Sequence, residues 1–449
     1  MIQQLHRLSL ALVAGFLLIA FAGGYWGYAR RDSLLGRPDN PRRILLERRI
    51  RRGAIYDRNG AVLAESVGAP GEYVRVYPYP ALAPVLGYVS AFYGTAGVEA
   101  AADPVLHGDG GQEAIALWQG ELLSAPAPGR DVRLSIDLRS QTAADNALGE
   151  HVGAVVVLDV VSGELLALAS HPTFDANQLD EQWETLVGDP RSPLLNRTTF
   201  ALYQPGSALQ PLVLAASLQA GLAELEAPFP AAASEVGVGN LTFGCLAPTA
   251  EEAEITLAQA FARGCPWPFA DLGGQLGADA LDRLFNDFRL FEALPLAIPT
   301  AAAERSPVAA EGPIAAIGQG SLTITPLHLA LATAAIARHG EMPAPQLILA
   351  TQNPQHVWES EPALSHAIAA IAPDVADQVK ALMPDGHRAI ALTSAGGKQL
   401  AWYSGFAPFD EPRCAIAVLL EDGDTQAAHQ IAHAVLSPDG PCGGIGQLR

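Results

Sequence analysis

The sequence predicts an α+β protein: an N-terminal transmembrane helix, a small β-rich module, then a larger domain with helices packed on an antiparallel sheet. Three patterns predict it. An almost uncharged stretch runs from Leu8 to Tyr28, about long enough to span a hydrocarbon core. Short alternating apolar runs around Asn59-Gly60 mark two strands joined by a tight turn. Farther along, strand-like runs flank a long Ala/Leu-rich helical block, and a last strand leads into a closing helix, Thr425 to Leu436. No internal repeat or low-complexity tract interrupts this order.

Composition sets the outer bounds. A chain of 449 residues has room for two or three domains, and 49% apolar against 16% charged residues describes a folded protein. The net charge of −20 excludes a nucleic-acid surface, which needs a basic face. Lysine occurs only at Lys380 and Lys398, so arginine carries nearly all the positive charge. The four cysteines, Cys245, Cys265, Cys414 and Cys442, lack C-x-x-C spacing, which speaks against a zinc site. If the body lies outside the membrane, a Cys245–Cys265 pair is available, but sequence leaves the connectivity open.

The elements follow in order. Residues 1–29 read as a short tail and membrane anchor, with Tyr25, Trp26 and Tyr28 as interfacial aromatics. A cleaved leader is the alternative, since Ala22-Gly23-Gly24 offers small residues. Residues 30–127 form a pedestal or linker domain with an Arg-rich start, the Arg52 to Ala64 hairpin and a Gly/Pro-rich remainder. In that hairpin Asp57 and Arg58 read as a solvated turn pair. Residues 128–449 form the large domain. It opens at Pro128 to Asp137, with a helix from Ser140 to Leu148 and strands at Gly153–Asp159 and Glu164–Ala169. Strands at Arg388–Ala395, Gln399–Gly405 and Cys414–Glu421 come near its end.

The segment Tyr203-Gln204-Pro205-Gly206-Ser207 carries the chemistry. A Pro-Gly turn delivers Ser207 to the start of an apolar helix, where free N–H groups can steady an oxyanion. One turn on, where an activating base belongs, stands Gln210, an amide that takes no proton near neutral pH. A helix-opening serine is also an ordinary capping residue. His429 and His433 have metal-ligand spacing on the last helix, but no third ligand is apparent, so they read as a solvated face. Gly318-Gln319-Gly320 reads as a turn before a helix.

The order of segments resembles the class B penicillin-binding proteins, membrane-anchored transpeptidases of bacterial cell-wall synthesis. Arg52 to Ala64, Gly87 to Gly108, Gly153 to Asn177, Ser192 to Arg197 with Tyr203 to Ser207, Gly318-Gln319-Gly320 with Thr325-Pro326, and Ala401 to Pro408 carry the likeness over nearly the whole chain. It implies a serine transpeptidase, β-lactamase-like fold with no metal and no cofactor. The family chemistry needs Ser-x-x-Lys, Ser-x-Asn and Lys-Thr-Gly. Here the first motif reads Ser207-Ala208-Leu209-Gln210, and the second falls on Gly264-Cys265-Pro266, without hydroxyl or amide. The third has two registers, Gly397-Lys398-Gln399 or, with better room for a hairpin, Leu392-Thr393-Ser394.

The resemblance therefore implies a component of peptidoglycan synthesis. Intact architectural motifs beside erased chemical ones predict a catalytically inactive scaffold or regulator. The alternatives are an acyl-serine D,D-transpeptidase or carboxypeptidase that binds penicillin through Ser207, and a non-catalytic muropeptide or β-lactam binding module. Implied partners are a membrane-embedded glycan polymerase, division or elongation proteins and the peptidoglycan stem peptide. The resemblance puts the large domain outside the cytoplasmic membrane. The arginines after the anchor point the other way, but long domains translocate largely regardless of charge.

Overall fold

The computed structural model describes residues 2–26, 49–108, 128–239, 241–247, 255–304, 312–393, 398–437 and 442. The arginine-rich connector up to residue 48 therefore lies outside the described residues. Helix α1 covers Ile2–Gly24. Among the described residues no helix is long and apolar enough to cross a membrane.

The expected hairpin is present. Strand β1 (Ile55–Tyr56) pairs antiparallel with β2 (Val62–Val67), which pairs with β3 (Val74–Val76). Gly60 takes the positive φ of 91° that the turn demands. Asp57, expected in solvent, is 1% exposed. Its Oδ1 accepts from the N–H groups of Asn59 and Ala61, at 2.8 and 2.7 Å, so the carboxylate holds the turn from inside. Arg58 leaves the turn to pair with Glu164 at 2.9 Å.

Strand β4 (Val132–Leu134) lies parallel to β1 and joins the same sheet. Helix α2 (Leu138–Leu148) follows directly, and Asp137 caps it by accepting from the N–H groups of Arg139 and Ser140. Asn59 donates to the second Asp137 oxygen at 2.9 Å, tying the hairpin to this helix start.

Strands β5 (Gly153–Asp159) and β6 (Leu165–His171) form the hairpin predicted around Val161-Ser162-Gly163. The helical block supplies α3 (Gln210–Gln219), α4 (Leu257–Ala262), α5 (Trp267–Leu276) and α6 (Pro326–Ala337). Strands β7 (Ile348–Gln352) and β8 (Trp358–Ser360) then return to the first sheet, whose order is β8-β7-β4-β1-β2-β3. This sheet draws strands from both sides of residue 128.

The chain closes with β9 (His387–Leu392), β10 (Gln399–Ala407), β11 (Cys414–Leu420) and helix α7 (Thr425–Leu436). Together with β5 and β6 they make an antiparallel sheet of order β9-β10-β11-β5-β6. Its central strands read as unbroken apolar runs because both faces are covered. Val155, Val157, Ile416 and Val418 pack under α2 and α7, while Val156, Leu158, Ala417 and Leu419 face the larger core that contains α6. Such runs carry no alternation, and length with bounding turns is what separates them from helix. Two disulfides lock the domain: Cys245–Cys265, a pairing the sequence left open, and Cys414–Cys442.

Candidate functional site

Ser207 does not open an α-helix. It sits in a 3-10 turn, Gly206–Leu209, that leads into α3, and no side chain caps that turn. Gly206 has φ 55°, and a Cβ there would strike the Ile390 carbonyl on β9. Gly318 has φ 65° and lies as tightly against Gly206 from the other side, its carbonyl accepting from the Gly206 N–H at 2.9 Å. Only glycines let these three backbone segments approach so closely. Gly318-Gln319-Gly320 is thus a spacer behind the serine turn as well as the lead-in to α6.

The contact with β9 decides the state of the serine. Ser207 Oγ accepts from the Ile390 N–H at 2.8 Å and donates to the Ile390 carbonyl at 3.2 Å. The residue is 4% exposed. Its hydroxyl proton therefore points at a carbonyl, and the backbone N–H facing it is occupied by its own oxygen. Among the described residues no ionisable side chain hydrogen-bonds to Oγ.

Gln210 is fully buried in the first turn of α3. Its Nε2 donates to the Cys265 carbonyl at 3.1 Å, while Oε1 is buried without a hydrogen-bond partner. An orphaned buried acceptor costs about 1–3 kcal/mol, so Gln210 is held here at a net cost to the fold. The amide reaches the second-motif segment but touches its backbone only.

That segment is held by backbone and covalent contacts. Gly264 turns with φ 63°, and a Cβ there would meet the Leu246 side chain at 2.9 Å. A serine at this position therefore has neither the backbone nor the space. Cys265 is tied to Cys245, and Pro266 caps α5.

The third segment meets Ser207 earlier than either register expected from the sequence. The residues of β9 at the serine turn are Ile390, through its backbone, and His387. Leu392 lies past the crossing, where its N–H donates to Gln319 Oε1 at 3.3 Å. Thr393 donates its N–H to the Lys398 carbonyl and closes the β9–β10 hairpin. Lys398 itself lines a separate hollow with His151 and Asp422. Ser394 lies outside the described residues.

His387 is the site residue that sequence reasoning missed. Its Nε2 lies 3.0 Å from the Ser207 carbonyl, which can only accept, so Nε2 carries the proton. The ring stacks on Phe261 at 4.7 Å. Burial pushes the imidazole down to about 4, against the opposing pull of the Ser207 carbonyl, and it is neutral at neutral pH. Its fixed tautomer holds the turn instead of drawing a proton from Oγ. A histidine in an apolar strand run was the available signal.

Around this closed turn, Trp402 Nε1 donates to the Gln204 carbonyl at 3.0 Å, and Glu421 accepts from Tyr203 and Arg197, each at 2.8 Å. A cleft of about 230 Å³ persists beside it, lined by Leu246, Arg263, Gly264, His387 and Arg388 among others.

Comparison with known proteins places the site in context. Residues 153–390 match the family described as the penicillin binding protein transpeptidase domain, and residues 52–132 the penicillin binding protein A dimerisation domain. The chain is 32% identical to the peptidoglycan D,D-transpeptidase PbpA of Mycolicibacterium smegmatis, over 94% of both chains. It is 27% identical to the peptidoglycan D,D-transpeptidase MrdA of Acinetobacter baumannii, over 62% of this chain and 48% of that one. Among solved structures, PBPA from Mycobacterium tuberculosis superposes with a TM-score of 0.77 at 30% identity, covering 86% of this chain and 99% of that one. The same Mycobacterium tuberculosis protein as a penicillin G acyl-enzyme complex gives the same TM-score and identity over 86% and 98%.

Proposed function

The chain belongs to the class B penicillin-binding proteins, and from that premise we propose that it serves peptidoglycan synthesis as a catalytically silent member, a scaffold or regulator. The observation that carries this reading is the closure of Ser207 on the Ile390 backbone, with Gln210 where a base belongs. Acylation needs an oxygen whose proton can leave and a free donor for the carbonyl oxygen of the substrate. Here the proton goes to a main-chain carbonyl and the donor is taken. Loss of a proton-transfer group alone removes about 10²–10⁴-fold in rate.

The working location is the bacterial cytoplasmic membrane, with α1 as a single-pass anchor and the large domain outside. The uncharged run from Leu8 to Tyr28 supports the anchor. Two disulfides support an oxidising compartment for the domain. The partners this reading implies are a membrane-embedded glycan polymerase and division or elongation proteins, engaged through the anchor and the pedestal.

The second reading is an enzyme, active or weakly active, that is acylated through Ser207. The penicillin G acyl-enzyme known for the Mycobacterium tuberculosis relative favours it. One experiment separates the two: intact-protein mass after incubation with penicillin G, with Ser207→Ala as control. The silent member stays at its unmodified mass, and a stable adduct mapped to Ser207 overturns that reading. Stem-peptide or β-lactam binding without an adduct, lost on filling the cleft by Ala262→Trp, would instead make it a non-catalytic binding module.

A further inference from the structure

The closing helix and the turn before β9 carry a cluster that the serine site does not use. His429 and His433 stand one turn apart on α7, and the fold brings Asp385, 44 residues before His429, between them. Asp385 Oδ2 lies 2.9 Å from His429 Nε2, and Oδ1 lies 2.7 Å from His433 Nε2. The three ligand atoms all fall within 4.8 Å of one another. The sequence showed the two histidines but hid the third donor, because spacing along the chain says nothing about a turn that arrives from another strand.

The backbone on both sides is fixed. The Asp385 carbonyl accepts from the Tyr403 hydroxyl at 3.1 Å, and the next residue, Gly386, bonds back to Met383. Gly386 has φ 68°, and a Cβ there would run into the Tyr403 ring. That ring also lies edge-on to both imidazoles, with centroids 5.6 and 6.4 Å away. Helix α7 is held by Ala428, Ile431, Ala432 and Val435, all buried in the core under the sheet. The imidazoles are tilted 48° to each other at a centroid distance of 4.3 Å, so their Nε2 atoms converge on one carboxylate without stacking flat.

We propose that Asp385, His429 and His433 form a three-ligand site for a divalent first-row transition metal of the zinc class, with a fourth position left to water. Two imidazoles and one carboxylate are the donor set such ions select, with metal–ligand distances of about 2.0–2.2 Å. Around a tetrahedral ion those distances put donors roughly 3–3.5 Å apart, so the two imidazole–carboxylate contacts must open and one Asp385 oxygen must turn toward both rings, within a cluster whose ligand atoms already lie inside 4.8 Å. Bound metal fastens α7 to the turn that begins β9, two residues before His387. Strand and helix then move as one unit behind Ser207.

The test uses tag-free full-length protein in detergent, stripped with a chelator and titrated with Zn²⁺ by calorimetry and with Co²⁺ by visible spectroscopy. The expected result is one equivalent bound, with cobalt d–d bands of a four-coordinate ion. His433→Ala, at a half-exposed side chain, and Asp385→Asn each weaken binding on the order of tenfold or more. Tyr403→Phe keeps the ligands and weakens it less. No saturable binding, or binding unchanged in a His429→Ala/His433→Ala double variant, overturns the proposal.

Discussion

Two parts of this molecule treat buried charge in opposite ways. In the N-terminal module Glu99, wholly buried, is gripped by Arg52 at 3.1 Å, Arg75 at 2.6 Å and the Tyr77 hydroxyl at 3.3 Å, and Arg52 also reaches Asp103 at 2.7 Å. The three side chains on the serine turn and its crossing, Ser207, Gln210 and His387, are instead an uncharged hydroxyl, an amide and a neutral imidazole, and the hydrogen bonds they make there go to backbone groups. The difference lies in what holds each region together. A charge that partners hold on several sides is part of the architecture, and removing one member strands the others. The serine turn has no such charged knot, and backbone, disulfide and glycine shape it.

Three substitutions would break or sharpen that contrast. The largest effect belongs to Glu99→Ala, which leaves Arg52 and Arg75 buried without their carboxylate. Urea unfolding should show a loss of about 3–5 kcal/mol. A change below 1 kcal/mol would mean the knot is better hydrated than its burial says. Next is the Cys245→Ser/Cys265→Ser pair, which removes the covalent bond now occupying the second-motif segment. A loop of this size predicts a loss of ~3 kcal/mol, measured against the oxidised parent. Little change there would mean that the fold does not depend on the bond at that segment. The smallest is Ser207→Ala. If the hydroxyl seals the turn to β9, the Ile390 N–H loses its partner and thermal denaturation should report about 1–2 kcal/mol of destabilisation. A stabilised variant would instead mark Ser207 as a strained, functional group, and the contrast between the two regions would fail.

Much of this was legible in the sequence, unevenly. The apolar runs of β5 and β11 and the closing helix α7 were plain, because each is local and bounded by turn residues. The serine turn was located, but its 3-10 geometry was not, since that is imposed by Gly318 and Ile390 arriving from elsewhere. Asp57 looked solvated because an Asp-Arg pair in a turn carries no mark of burial; its partners include the Leu138 N–H, 81 residues on. The third-motif register was misplaced for a related reason. Hairpin length favoured Leu392, yet the crossing with the serine turn is set by sheet packing, which puts Ile390 there. The Cys414–Cys442 bridge and the Asp385 donor were hidden in the same way.

The parallel pairing of β1 with β4 has a practical side. A fragment that starts at residue 128, where composition suggests a boundary, keeps β4 but strips away β1, β2 and β3. Val132 to Leu134 would then offer a bare row of amide and carbonyl groups to any passing chain, flanked by newly wetted apolar surface from Ile136 and Leu134. Fragments cut there should stick to one another, whereas those that begin ahead of Arg52 keep that edge covered.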